Sequence, residues 1–298
     1  MTGPGVTQPA LSRSTVDRDG VTREDEAGLS AAWERARVLV VDDGRALVDG
    51  TSLVLVDPGE APEGERFYLG SEDGQPYFAV AGPLPRRLGA VGQGLREVGA
   101  ALDDRDAGLL THAVGLANWH AAHPRCSRCG AATRGAKGGS VRVCEADGSM
   151  HFPRTDPAVI VLITDGVDRA VLGRQAVWPP RRYSTLAGFV EPGESAEQAV
   201  VREVAEEAGL AVREVVYRGS QPWPFPASLM LGYRAVCDPD AEPVPQDGEL
   251  EDARWCTREE LAGAGGWEGG AGPVLLPPPV SIAYRLIMDW VAEGATGH

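Results

Sequence analysis

The stretch GFVEPGESAEQAVVREVAEEAGL, residues 188–210, constrains this chain more than any other. Pro192 and Gly193 break the backbone ahead of Ser195, a residue type that caps helices. Gly209 can end the helix that follows. Between them Val200, Val204 and Ala208 recur at helical spacing, so a helix with one core-facing stripe is expected. Each helical residue advances about 100°, which places Glu203, Glu206 and Glu207 within an arc of roughly 100° beside that stripe. Carboxylates spaced in this way repel one another without a counter-ion. They are either a solvated acidic face or a site for a hard divalent cation such as Mg²⁺ or Mn²⁺, which prefers oxygen donors.

The flanking sequence supplies a frame for such a helix. DPAVIVLITDG and RAVLGRQ read as paired buried strands, and REVVYRGSQ, LMLGYRAVC and EDARWC as further strands. SIAYRLIMDWVAE reads as a closing helix. Mixed strands with two helices fit an α/β/α sandwich, assigned to residues 156–291. Upstream, RVLVVDDGRALVDG, SLVLVD and RFYLGSEDGQPYFAVAG are short β-forming runs broken by Asp-Gly pairs that predict hairpin turns. From Leu95 to about His120 the apolar spacing turns helical. Residues 26–120 are therefore expected to form a small α+β domain, and residues 121–155 a knuckle with no core of its own. The polar ends, 1–25 and 292–298, are expected to be disordered. The fold class is α+β.

Composition narrows the function. A formal charge of −15 repels polyanions in bulk, and no concentrated basic patch offsets it, so a long nucleic-acid groove is not expected. The first residues lack the basic and apolar regions of a signal peptide. No apolar run reaches the roughly 18 residues that a span requires, so neither export nor membrane insertion is expected and the location is read as cytoplasmic. Five cysteines in such a chain argue against a disulfide scaffold. Three of them, Cys126, Cys129 and Cys144, have zinc-ribbon spacing.

The spacing of Gly188, Glu194, Arg202, Glu203, Val204, Glu206, Glu207, Gly209 and Leu210 resembles, at every specified position, the signature box of the Nudix hydrolases. That resemblance implies a Nudix sandwich in which Glu203 and Glu207 hold metal, with Glu206 as a further ligand or the base that activates water. It also implies a contact from the Ala187 carbonyl to metal, and a bracing role for Arg202 and Glu194. Metal chemistry suits pyrophosphate hydrolysis, which needs charge neutralisation and an activated water.

A second stretch, SQPWPFPAS, puts two aromatics and three prolines into nine residues. Proline lacks an amide donor and fixes its own φ, so this run suits neither a helix nor a central strand. The rings either plug the core or form a preformed wall for a flat ligand. The run resembles the signature of the NADH pyrophosphatase subgroup, which hydrolyses NAD(H) to nicotinamide mononucleotide and AMP and includes enzymes that remove NAD caps from RNA. On that resemblance Gln221, Pro222, Trp223, Pro224, Phe225, Pro226, Ala227 and Ser228 bind substrate, Phe189 lies against the nicotinamide, and Phe152 stacks from the partner subunit of a homodimer. Glu249 aligns with a further metal ligand, Ala283 with a pocket residue and Arg96 with a substrate contact.

The resemblance covers about residues 95 to 290 and breaks at one point. Relatives complete their zinc ribbon with a second pair of cysteines, but three residues after Cys144 stands Asp147. Asp147, His151 or His123 could supply the fourth zinc ligand, Asp147 having the right offset, or the knuckle folds without metal. Two other functions stay open: a Nudix hydrolase for ADP-ribose, coenzyme A or a diadenosine polyphosphate, and a non-catalytic nucleotide sensor or RNA-binding zinc-ribbon protein.

Overall fold

In the computed structural model, which describes residues 8–246 and 248–295, the chain divides into two units. The first is built from Asp156–Gln221 and Leu229–His298, the second from Leu11–Thr155 with Pro222–Ser228.

The first unit is organised by strand Asp156–Thr164, whose side chains alternate between two cores. Val159, Val161 and Ile163 pack with Ala199, Val200, Val204 and Ala208, whereas Ile160 and Leu162 pack with Ile282, Leu286, Ile287 and Trp290. The period of two in a strand thus buries a helix on each face, Ala196–Ala208 on one and Ile282–Ala295 on the other. The six-stranded sheet runs Val212–Trp223, Ser228–Cys237, Asp156–Thr164, Arg169–Gln175, Leu250–Thr257, with Leu186–Phe189 antiparallel to Asp156–Thr164. This is the expected α/β/α sandwich. The expected caps form: Ser195 and Gln198 make a capping box, and Gly209 closes the helix at φ 66°. A cap of the Ser195 type contributes about 1 kcal/mol.

Strand Val212–Trp223 runs into the proline-rich stretch, further than its composition suggests. It lies at the edge of the sheet, where Pro222 need donate to no neighbour. Only residues 224–227 form the turn proper.

The second unit carries two three-stranded sheets, Arg37–Val41/Gln75–Ala81/Arg66–Glu72 and Ser52–Leu53/Arg45–Asp49/Val91–Gly94, beside helix Asp104–Ala122. Two expected hairpins form, at Asp73-Gly74, both residues at positive φ (49° and 79°), and at Asp49-Gly50, where Asp49 pairs with Ser52 and Val48 with Leu53. The third, at Asp43-Gly44, differs. Asp42 and Arg45 exchange both turn hydrogen bonds, yet the flanking strands then part into different sheets. SLVLVD likewise gives two paired residues, Ser52 and Leu53, and a single bridge from Val56 to Val38.

The expectation of disorder up to residue 25 fails over residues 8–25. Leu11 is buried, Arg13 donates to the carbonyls of Gly99 (3.0 Å) and Leu102 (2.9 Å), and Asp17 exchanges two backbone bonds with Ser71. One apolar anchor and a forked donor hold a segment whose average polarity suggested none. Residues 1–7 of that expectation lie outside the described residues. The closing helix takes in residues 292–295 of the expected tail, and 296–298 are not described. No helix of the described residues is long and apolar enough to cross a membrane.

Candidate active site and metal centre

Arg202 organises the acidic helix. Its Nε and Nη2 donate to the two oxygens of Glu194 at 2.9 Å each, its Nη1 to Glu203 (2.7 Å) and Glu206 (3.2 Å), and its Nη2 also to the Phe189 carbonyl (2.9 Å). Loop, strand and helix are thereby fastened at one guanidinium, a planar fork suited to carboxylates. Glu194 in turn accepts from the Glu191 amide. The result draws Arg202 further up from its ordinary range, Glu194 contributing most.

The Glu203 carboxyl lies across the backbone of Gly188. A Cβ on Gly188 would stand 1.9 Å from its Cδ and Oε1, so this position must be glycine for the carboxyl to lie there. Gly188 pairs with Val159 and its neighbour Ala187 with Ile160, which holds both in a short strand. Burial, the largest influence, pushes the Glu203 carboxyl above its ordinary range, and the like charges of Glu206 and Glu249 add to this against the opposing pull of Arg202. The structure thus brings Glu249 to the box, 46 positions after Glu203 in the chain. Glu207 is buried, at 4% exposure, while the Glu206 side chain is 56% exposed. Five carboxylates, Glu194 included, share one arginine, and Glu203 and Glu207 are largely withdrawn from water, which leaves negative charge that a hard divalent cation would balance.

The expected substrate residues separate into three groups. Phe152 (66% exposed) and Phe189 (60%) present their rings to water. Trp223 and Phe225 are half-buried and meet edge to face at 5.0 Å, so neither plugs the core. Arg96 lies over them, 4.2 Å from the Phe225 centroid and 5.4 Å from that of Trp223. Arg96 and Phe225 border a cleft of about 780 Å³ within the second unit, which Pro224 and Pro226 also line. Ala227 ends the turn and Ser228 opens the next strand, both half-buried, as is Pro222. Gln221 and Ala283 form the third group, whose side chains are enclosed. Gln221 is fully buried and donates to the Val280 carbonyl (3.1 Å), and Ala283 is 1% exposed within the core beneath the closing helix. Asn118, which donates to the Pro224 carbonyl at 2.9 Å, had no signal in the sequence, for the two lie 106 positions apart.

The knuckle is built twice. Around Cys126 its amide donates to Ala131 and its carbonyl accepts from Gly130; around Cys144 its amide donates to Ser149 and its carbonyl accepts from Gly148. The two glycines stand at φ 75° and 70°. Residue for residue, Asp147 occupies the place of Cys129. Ligand atoms of Cys126, Cys129, Cys144 and Asp147 all lie within 4.8 Å of one another, with the Cys129 and Cys144 sulfurs 3.5 Å apart. Tetrahedral zinc with bonds of about 2.3 Å asks for sulfurs about 3.8 Å apart, so the donor set fits. Ser149, through its side chain and its amide (2.9 Å to Oδ1), brings the Asp147 carboxyl down to about 2, so it is an anion at neutral pH. His123 instead points its Nδ1 at the Trp119 carbonyl (2.9 Å), and His151 meets Ser149 Oγ (3.4 Å) outside the four-ligand cluster.

Comparison with known proteins matches residues 154–275 to the NUDIX domain, 27–119 to the NADH pyrophosphatase-like rudimentary NUDIX domain, and 121–152 to the NADH pyrophosphatase zinc ribbon domain. The chain is 43% identical over 297 residues, 95% of each protein, to the NAD-capped RNA hydrolase NudC of Mycobacterium bovis. It is 44% identical over 226 residues, 76% of this chain and 77% of the relative, to that of Stutzerimonas stutzeri. A mitochondrial NAD(P)H pyrophosphatase of Homo sapiens is 41% identical over 208 residues, 67% of this chain and 59% of the human protein.

Proposed function

The chain belongs to the Nudix hydrolases, in the NADH pyrophosphatase family, and from that premise we propose that it hydrolyses the pyrophosphate of NAD(H) to nicotinamide mononucleotide and AMP, and removes NAD caps from RNA 5′ ends. One observation carries the reading: a chain with an intact carboxylate helix also holds Trp223 and Phe225 on a stiff turn beside an open cleft.

Hydrolysis adds water across the P–O–P link: hydroxide joins one phosphorus, and the bridging oxygen leaves with the other. Two phosphomonoesters and a proton result. A divalent cation, Mg²⁺ or Mn²⁺, held by Glu203, Glu207, Glu249 and the Ala187 carbonyl, would neutralise the phosphate oxygens and acidify a bound water. Glu206 is the most exposed of the three helix carboxylates and is bound only at 3.2 Å by Arg202, so it is the one free to accept the proton. Arg202 and Glu194 keep Glu203 in register while this happens. Trp223 and Phe225 offer flat faces to the dinucleotide rings, with little ordering left to lose.

Cys126, Cys129, Cys144 and Asp147 are proposed to hold a structural Zn²⁺. The exposed ring of Phe152 supports a homodimer in which it stacks on the partner's substrate. Five free thiols suit the reducing cytoplasm.

The test is product analysis after incubating purified protein and Mg²⁺ or Mn²⁺ with NAD⁺, NADH, ADP-ribose, coenzyme A, diadenosine polyphosphates and NAD-capped RNA. Nicotinamide mononucleotide from NAD(H) is expected, and preference for another of these pyrophosphates overturns the assignment. Glu207→Gln should keep the fold and lower kcat at least about 100-fold, because a ligand's charge goes while its shape stays.

A further inference from the structure

Three prolines fix φ within the stretch 222–228 but leave it poor in amide donors, so few hydrogen bonds of its own can hold it against the rest of the unit. Within it the Phe225 amide donates to Trp223 (2.7 Å), which sets the two rings against each other but not against anything else. Two residues from distant parts of the second unit do the rest. Arg96 stacks on Phe225 at 4.2 Å, and Asn118 Nδ2 donates to the Pro224 carbonyl at 2.9 Å. The opposite amide orientation would set two oxygens against each other, so the nitrogen must face Pro224.

Asn118 also lies in the cleft wall. Val114, Asn118, Ala121 and Ala122 line it at helical spacing, one stripe of helix Asp104–Ala122. Three small apolar side chains keep that wall low. The polar residue among them is bound to the backbone of Pro224, which also lines the cleft.

We propose that Asn118 is a positioning residue for dinucleotide recognition: by holding the Pro224 carbonyl it sets the height and angle at which Trp223 and Phe225 meet a planar ring entering the cleft. This rests on the reading that the turn binds NAD(H). Asn118 touches no reacting atom, so its loss weakens binding of ground state and transition state alike. That signature is a raised KM with kcat unchanged.

Three variants test it: Asn118→Ala removes the donor, Asn118→Asp replaces it with an acceptor of the same shape, and Asn118→Gln restores an amide one methylene further out. NAD⁺ affinity is measured by calorimetry without divalent metal, and steady-state kinetics with Mg²⁺. Alanine should raise Kd and KM about five- to tenfold, the usual effect of one lost hydrogen bond. Aspartate should do at least as much, through repulsion of the carbonyl. Glutamine should fall between alanine and wild type, and kcat should stay within twofold for all three. Affinities within twofold of wild type for both alanine and aspartate overturn the role of Asn118. A fall in kcat at unchanged KM and Kd overturns it as well, as does equal loss in the glutamine and aspartate variants. Wild-type protein that binds and cleaves no NAD(H) overturns instead the reading on which the proposal rests.

Discussion

Gly188→Ala isolates the position of one carboxylate from its charge. The added Cβ would stand 1.9 Å from Glu203 Cδ, whereas non-bonded carbons settle at about 3.5 Å, so the carboxyl must retreat by about 1.6 Å. It is the far end of a flexible side chain, so it moves while the strand stays, and the fold should survive. The movement breaks the 2.7 Å bond from Arg202 and withdraws an oxygen from the metal site. A misplacement of about 1 Å at a reacting centre costs about 100-fold, so kcat/KM should fall by at least that factor. The melting temperature should drop by no more than a few degrees. Mn²⁺ titration followed by electron paramagnetic resonance should show weaker binding, and Glu203→Gln, which keeps the shape and loses the charge, should match it. A Gly188→Ala enzyme with kcat/KM within threefold of wild type and unaltered Mn²⁺ affinity would refute the reasoning: Glu203 would then not need the place it occupies.

Elemental analysis should find about one zinc per chain, the count for one four-ligand site. Cys144→Ser should lower both zinc content and melting temperature, and Asp147→Cys should slow metal release to a chelator. A zinc-free protein of full activity and unchanged melting would contradict the ribbon assignment. If Phe152 completes a neighbouring site, light scattering should show a dimer at assay concentrations, and an active monomer would exclude that arrangement. Burial, and then the hydrogen bond to Asp252, push Tyr183 up to about 12; burial and Asp19 do the same for Tyr68. The neutral phenols are favoured by the fold, so their contribution is complete below about pH 10 and lost as pH rises through 12. Absorbance titration should find two of the six tyrosines ionising about two units late, and Tyr183→Phe should remove one of them.

The carboxylate helix was legible because its signals are local. Ser195, Gly209 and the Val200–Val204–Ala208 stripe act within a turn or two of chain, and the unbroken apolar run within Asp156–Thr164 marks a buried strand, though not the two cores that its faces enter. What escaped is whatever depends on distant residues meeting. The Asp42–Arg45 turn looks like any hairpin, and nothing nearby reveals that Arg37–Val41 finds its partner in Gln75–Ala81 instead. Arg13 anchors the N-terminal segment through carbonyls 86 and 89 positions away. Within the site, Glu203, Glu206 and Glu207 could be placed by helical geometry, but Glu249 came from family resemblance alone. Gln221 stands between half-buried Ser220 and Pro222, so only the packed structure shows that it is fully enclosed.

The doubled knuckle separates shape from chemistry. Each turn closes on its own amides and a left-handed glycine, and the side chain at the fourth position adds to that frame only the bond that Asp147 accepts from the Ser149 amide. A cysteine can therefore give way to an aspartate without remaking the backbone, much as a fitting is exchanged on an unaltered mount. Metal preference in such a protein can drift one residue at a time, with the fold as a bystander. Equally, an engineer could rewrite residue 147 alone and tune how tightly the ribbon grips its ion.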